Sequence, residues 1–229
     1  MVARSLIAIN FHGIGEPARK LERGETPYWI SETQYCAVLD QIVVSPYRDR
    51  VRITFDDSNL SDLTIGLPAL VARGLTARFF VLTGRIGQPG SLRQQDILAI
   101  QMAGMTIGSH GVNHVVWSRA DSSVLQDETI GSRSALQDVT GTPIDEAAIP
   151  FGAWNGRVLR ALRKAGYSTV WSSDGGTCRD GAFLRPRSSV RGDMGEEDVA
   201  RLLSGVMPAG KHLRRSAGQI RKRMSGLLG

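Results

Sequence analysis

Four side chains in two distant stretches could carry chemistry. Asp56 and Asp57 close the run Ile53-Thr54-Phe55-Asp56-Asp57-Ser58, and His110 and His114 stand four apart in Ser109-His110-Gly111-Val112-Asn113-His114. On an extended chain, adjacent side chains point to opposite sides. One carboxylate of the pair can therefore ligate a cation while the other stays free to accept a proton. The commoner use of an Asp-Asp pair is a turn or a helix cap after a strand. A helical turn after the strand would bring imidazoles at i and i+4 to one side, ready for a metal; taken alone, the pair also fits a polar loop with two solvated histidines. In combination, one carboxylate and two neutral imidazoles form a three-ligand set that leaves coordination positions open. That is the pattern of a catalytic divalent ion, since a structural site is closed by four protein ligands. The second carboxylate is then available as a general base toward water.

These residues need a frame. Short β-branched or aromatic runs, at 6–11, 51–55, 77–82, 106–109, 147–150, 168–171 and 183–190, alternate with helical patterns near 31–44, 62–73, 92–103, 121–139, 155–165 and 195–206. Such repetition predicts parallel strands joined by crossover helices. The fold expected is α/β, a distorted (β/α) barrel of about seven parallel strands. Neither GxGxxG nor GxxxxGK[ST] follows any strand, which argues against a nucleotide-binding open sheet. Barrels place their chemistry at the C-terminal ends of their strands. Here those ends carry His12, Asp56 with Asp57, His110 with His114, Phe151 and Asp174.

The chain has 229 residues, 41% of them hydrophobic, enough for a core. No apolar run approaches the ~18–20 residues that cross a bilayer. The start, MVARSLIAINFHG, has too short an apolar stretch for a secretory signal and reads as a buried strand of a cytoplasmic protein. The net charge of +6 is local: residues 211–229 hold six Lys and Arg and no acid, and the remainder balances 22 basic against 22 acidic side chains. The body is therefore not a nucleic-acid-binding face, and no nucleic acid is expected as a partner. Cys36 and Cys178 belong to no C-x-x-C pair, which argues against a disulfide framework or a cysteine zinc site.

TFDDS at 54–58, SHGVNH at 109–114 and IPFGAWN at 149–155 resemble, in order and spacing, successive motifs of the polysaccharide deacetylases, the NodB-homology domain of carbohydrate esterase family 4. The resemblance covers roughly residues 5–190. It implies a NodB-type barrel and a divalent metal, most often Zn2+, with Co2+, Ni2+ or Mn2+ as substitutes. It also implies hydrolysis of an N-acyl group, usually N-acetyl, on a sugar. Carried over by motif, Asp56 matches the catalytic base and Asp57, His110 and His114 match the metal ligands. The backbone N–H of Phe151 matches the donor that stabilises the oxyanion.

Two departures stand out. Ala148 occupies the position of an Arg that pairs with the catalytic Asp, and the terminal Leu-x-His motif, source of the general acid, is absent. His12 is the candidate replacement for that acid, and Arg187 the candidate partner for Asp56. Asp174, in WSSDGG, resembles the carboxylate that orients the missing acid. Trp154, in a loop after PFG, is the candidate sugar-stacking ring. With Asp174 and Arg187 it makes up the expected substrate side, whereas Trp171 reads as core and Trp29 as a groove residue on a lid-like 13–30 loop. The barrel is expected to span 1–207. A basic tail over 208–229 reads as solvated, or as a peripheral attachment to anionic membrane. Alternatives to an N-deacetylase are an O-deacetylase or deformylase on a soluble or lipid-linked sugar, opening of a cyclic amide, and a catalytically degenerate sugar-binding barrel.

Overall fold

The computed structural model describes residues 5–206 together with Gly218 and Lys222. Nine strands are used below: β1 (Ser5–Phe11), β2 (Val51–Phe55), β3 (Ala77–Val81), β4 (Thr106–Ser109), β5 (Glu146–Ala148), β6 (Thr169–Ser172), β7 (Thr177–Arg179), β8 (Leu184–Pro186) and β9 (Ser188–Ser189). Parallel pairing runs β1–β2–β3–β4–β5–β6–β8, and β9 returns to β1. Eight strands thus make a nearly closed barrel. The sequence-predicted seventh strand, 183–190, is in fact two: 184–186 pairs with β6, the chain breaks at Arg187, and 188–189 pairs with β1. That break closes the barrel and gives Arg187 its place. Strand β7, antiparallel on β1, was not legible as a strand; Thr-Cys-Arg after two glycines carries no period.

Helices α1 (Glu32–Val44), α2 (Leu67–Val71), α3 (Gln94–Met102), α4 (Ser122–Gln126), α5 (Ser132–Thr140), α6 (Gly156–Lys164) and α7 (Glu196–Ser204) fill the predicted intervals. Ser31 caps α1 by accepting from Gln34 N, and Asp121 caps α4 by accepting from Val124 N. Two intervals contain a wide π turn, at Asp62–Gly66 and Asp127–Gly131.

Strand alternation divides the interior. Ile7, Ile9 and Phe11 of β1 face away from the lumen, and the latter two join the main core with Val38, Leu39 and Ile42 of α1. Ala8 of β1 joins Phe80, Ala148 and Trp171 in a second small cluster that fills the lumen. Small residues there make room for large rings: a Cβ on Gly108 would lie 2.5 Å from the Phe80 ring. The next inward positions toward the strands' C-terminal ends, Asn10 and Thr54, are polar and wholly buried. No helix among the described residues is long and apolar enough to cross a membrane. The basic stretch 211–229 lies outside the described residues apart from Gly218 and Lys222.

Candidate active site

Strand β2 ends at Phe55 and the chain turns sharply, with φ of 76° at Asp57 and 60° at Ser58. Left-handed backbone at non-glycine residues costs about 1–3 kcal/mol each and persists only where neighbours fix it. Ser58 is fixed: its Oγ accepts from Leu82 N at 2.7 Å and its carbonyl from Leu92 N at 3.0 Å. The divergence of the two carboxylates comes from this turn rather than from strand alternation.

Asp56 faces the lumen. Its Oδ1 accepts from Arg187 Nη1 and its Oδ2 from Arg187 Nη2, both at 2.7 Å, and Asn10 Nδ2 adds a third bond at 3.1 Å. Asn10 is oriented by its own carbonyl, which accepts from Thr54 Oγ1 and Arg187 Nη1. Burial alone would raise the Asp56 carboxyl. The Arg187 charge and its hydrogen bonds override burial and hold it well below the usual carboxylate range. Ala148 leaves the strand β5 position without an arginine, and Arg187 supplies the guanidinium from the break between β8 and β9. This places Arg187 beside Asp56, 1% exposed, and in the wall of the groove that adjoins the site.

Of the two readings of the histidine segment, a helical turn or a polar loop, the structure has the loop. After β4 it forms an irregular loop with φ of 90° at Gly111 and 53° at His114. Its shape is set by Glu128, a buried residue of the second π turn. The Glu128 carboxylate accepts from Val112 N and Asn113 N, both at 2.9 Å, and from Trp117 Nε1 at 3.1 Å. A Cβ on Gly111 would lie 2.2 Å from Glu128 Oε2, so only glycine admits this approach. Sequence reading missed Glu128; nothing in QDETIGS marks a helical Glu as inward-facing, because a π turn shifts the helical register. Glu128→Ala should cost about 1–3 kcal/mol for each buried N–H left unpartnered, and weaken divalent-metal affinity about 10–100-fold. Urea unfolding and calorimetric metal titration would measure both.

His110 Nδ1 lies 2.9 Å from the Ala148 carbonyl; a carbonyl only accepts, so Nδ1 carries the proton and Nε2 presents a lone pair. Burial lowers the His110 pKa to about 4 against the raising effect of Asp56 and Asp57, which keeps the ring neutral. His114 Nδ1 lies 3.0 Å from Glu22 Oε2, which likewise leaves Nε2 free. The two Nε2 atoms approach Asp57 Oδ1 at 3.6 and 3.4 Å. That oxygen is buried and has no hydrogen-bond partner. Two lone pairs and an orphaned carboxylate oxygen, all within 4.8 Å of one another, repel unless a cation lies between them. The donor set of one carboxylate and two imidazoles therefore fits a divalent ion with open positions.

One pocket of about 340 Å3 is lined by His12, Asp56, Asp57, His110, His114 and Phe151, so six of the nine singled-out residues converge. Phe151 has φ 57°, and its half-exposed ring stacks on His114 at 4.3 Å between centroids. His12 Nε2 lies 3.4 Å from Asn10 Nδ2, and its buried Nδ1 has no hydrogen-bond partner. The pocket is completed by residues not singled out beforehand, among them Glu22, Tyr28, Ser173 and Ser189.

Two expectations, for Trp154 and Trp29, are corrected, and Asp174 stands beside the pocket. Trp154 is 2% exposed, its Nε1 donating to Asp174 Oδ2 at 2.8 Å, so it cannot stack on a sugar. Asp174 does not line this pocket; its carboxylate receives Trp154, Ser172 Oγ and, at 2.6 Å, Lys222 Nζ from the basic tail. It lines the adjoining groove instead. Trp29 does not line the site either. It donates to the Gly15 carbonyl and packs on Gly13, where a Cβ would lie 2.1 Å from the indole, pinning the base of the loop. Trp171 is fully buried, as expected.

The family model for polysaccharide deacetylase matches residues 44–170, which contain Asp56, Asp57, His110 and His114. Among curated proteins, YxkH of Bacillus subtilis (strain 168) is 26% identical over 136 residues, 59% of this chain and 49% of that protein. YheN of the same organism is 30% identical over 122 residues, 51% of this chain and 42% of that one. The names of both place them in this family, and the chain spans about half the length of these relatives. The Streptococcus pyogenes deacetylase PplD, solved with acetate, superposes with a TM-score of 0.75 at 20% identity, covering 88% of this chain and 99% of that one. BC0361, a polysaccharide deacetylase from Bacillus cereus, gives 0.74 at 17% identity, covering 87% and 69%. At such identities the solved structures speak for the fold, while the match to the family model, over more than half the chain and across both ligand stretches, speaks for descent. The chain belongs to the polysaccharide deacetylase family.

Proposed function

We propose that the protein is a metal-dependent hydrolase that removes an N-acetyl group from an amino sugar in an oligosaccharide or glycan precursor. The reading is carried by one observation: Asp57 Oδ1, buried and without a hydrogen-bond partner, faced by the Nε2 atoms of His110 and His114. Asp57, His110 and His114 would hold the ion, with Zn2+ the first choice for a carboxylate and two imidazoles. When bound, such an ion supplies Lewis-acid chemistry, acidifying water and polarising the amide carbonyl.

The chain's own groups do the rest. Asp56, kept ionised by Arg187, takes the proton from the attacking water. The Phe151 N–H faces the oxygen on which charge develops. His12 gives a proton to the departing amine, since an amide nitrogen leaves poorly as an anion. What supports this role is place: His12, which must give the proton as an imidazolium, lines the same pocket as Asp56, Asp57, His110 and His114. The products are acetate and a free amino sugar.

The test combines metal content with acetate release from N-acetylated chito-oligosaccharides. Wild type should bind one divalent ion and release acetate, and chelation should abolish turnover. His110→Ala and His114→Ala should each lose more than the ~10–100-fold in metal affinity expected of an outer-shell substitution. Acetate released only from O-acetylated sugars would transfer the same chemistry to an ester; a purified protein that takes up no metal would overturn the reading.

A further inference from the structure

Each candidate ligand is held by a different device. Asp57 is fixed by its own turn, and His110 by a barrel carbonyl at Ala148. His114 lies in a loop outside the sheet, and its Nδ1 is held by Glu22, on the 13–30 loop, 92 residues away in sequence. The second oxygen of Glu22 receives Arg85 Nη2, and Arg85 Nη1 donates to the Asp57 carbonyl at 3.3 Å. Asp57, Arg85, Glu22 and His114 therefore form a closed ring of contacts, completed by the 3.4 Å approach of His114 Nε2 to Asp57 Oδ1. The segment bearing Glu22 is itself anchored. Glu22 N donates to Glu25 Oε2 at 2.7 Å, Glu25 pairs with Arg19, and Arg19 Nε donates to Asn59 Oδ1 at 3.0 Å, next to the Asp57–Ser58 turn.

We propose that Glu22 is a positioning residue for the metal centre, fixing the tautomer and ring orientation of His114 so that Nε2 faces the ion, and that the 13–30 loop thereby forms one wall of that centre. A carboxylate accepting from the far nitrogen of an imidazole raises the donor strength of the near one and locks the ring. The contact is poorly explained as a device for holding the fold together, because the Glu22 side chain is 48% exposed and exposed ion pairs contribute only about 0–1 kcal/mol. Its value lies in what it does to His114.

This inference rests on the reading that Asp57, His110 and His114 bind a divalent ion, and the experiment separates the two. The full-length chain, stripped of metal, is titrated with Zn2+ against a chromophoric chelator, and with Co2+ monitored by its visible absorption. Glu22→Ala should weaken Zn2+ binding about 10–100-fold and alter the Co2+ spectrum, while metal-free unfolding stays within about 1 kcal/mol of wild type. Glu22→Gln, which keeps an acceptor for the Nδ1 proton, should recover part of the affinity. In a His114→Ala background, Glu22→Ala should cause no further loss, since its effect passes through His114. Equal Zn2+ affinity in wild type and Glu22→Ala, or additive losses in the double variant, would overturn the role of Glu22 and leave the metal centre standing. Failure of wild type to bind either ion would overturn both.

Discussion

Asp56→Asn should lower kcat/KM for acetate release by about 10^2–10^4, the usual worth of a positioned general base, and leave Zn2+ affinity within a few-fold of wild type. Asp57→Asn, one residue away, should do the reverse in its primary effect: metal affinity falls, and turnover falls because of it. The contrast follows from the turn at 57–58, which sends one carboxylate to Arg187 and Asn10 in the lumen and the other to the two imidazoles. Asparagine conserves the volume of Asp56 but accepts no proton. It also leaves Arg187 without its counter-charge, so the Zn2+ titration doubles as a check that the site is folded. Retention of full turnover by Asp56→Asn would remove Asp56 from the chemistry, and loss of zinc with urea unfolding unchanged would make it a ligand.

Arg187→Met carries the largest expected effect on stability. Arg187 and Asp56 are 1% and 2% exposed and share two bonds of 2.7 Å. Removing one partner of such a pair strands a buried charge and costs about 3–5 kcal/mol. The double variant Asp56→Asn/Arg187→Met should be more stable than Arg187→Met alone, because no uncompensated charge remains. The pH dependence changes sign as well. In wild type the Asp56 pKa lies below its unfolded value, near 3.9, so its contribution is present at neutral pH and is lost only as pH falls through the depressed folded value. Without Arg187, burial dominates and raises the folded pKa above the unfolded one. The contribution then favours the native state at low pH and is lost as pH rises. The deficit of Arg187→Met, measured by urea unfolding of metal-free protein, should therefore shrink between pH 8 and pH 5. A deficit under about 1 kcal/mol at pH 7, or one independent of pH, would contradict this account of the pair.

Asp56, Asp57, His110 and His114 were legible in the sequence because the signals are local. A strand ending in Asp-Asp and a strand ending in two histidines can be read from a few residues, and the strand–helix period places both at one end of a parallel barrel. Helix boundaries were legible for the same reason: Ser31 and Asp121 cap by contacts three residues long. The misread features all depend on partners far away in the chain. Trp154 looked like a loop aromatic, and Asp174, 20 residues on, buries it. The histidine pair fitted a helical turn or a polar loop, and a carboxylate in a distant π turn shapes the loop. The seventh strand looked continuous, and barrel closure broke it at Arg187 because its two halves must pair with different neighbours.

The sequence by itself determined which residue types meet at the mouth of the barrel. Only the tertiary structure decided how they are aimed and held: Asn10 on Asp56, Glu128 under the histidine loop, Glu22 behind His114. Periodicity and short motifs encode contacts made within a turn of helix or a step of strand. Hydrogen bonds that join residues 15 to 131 apart are set by how the whole chain closes on itself.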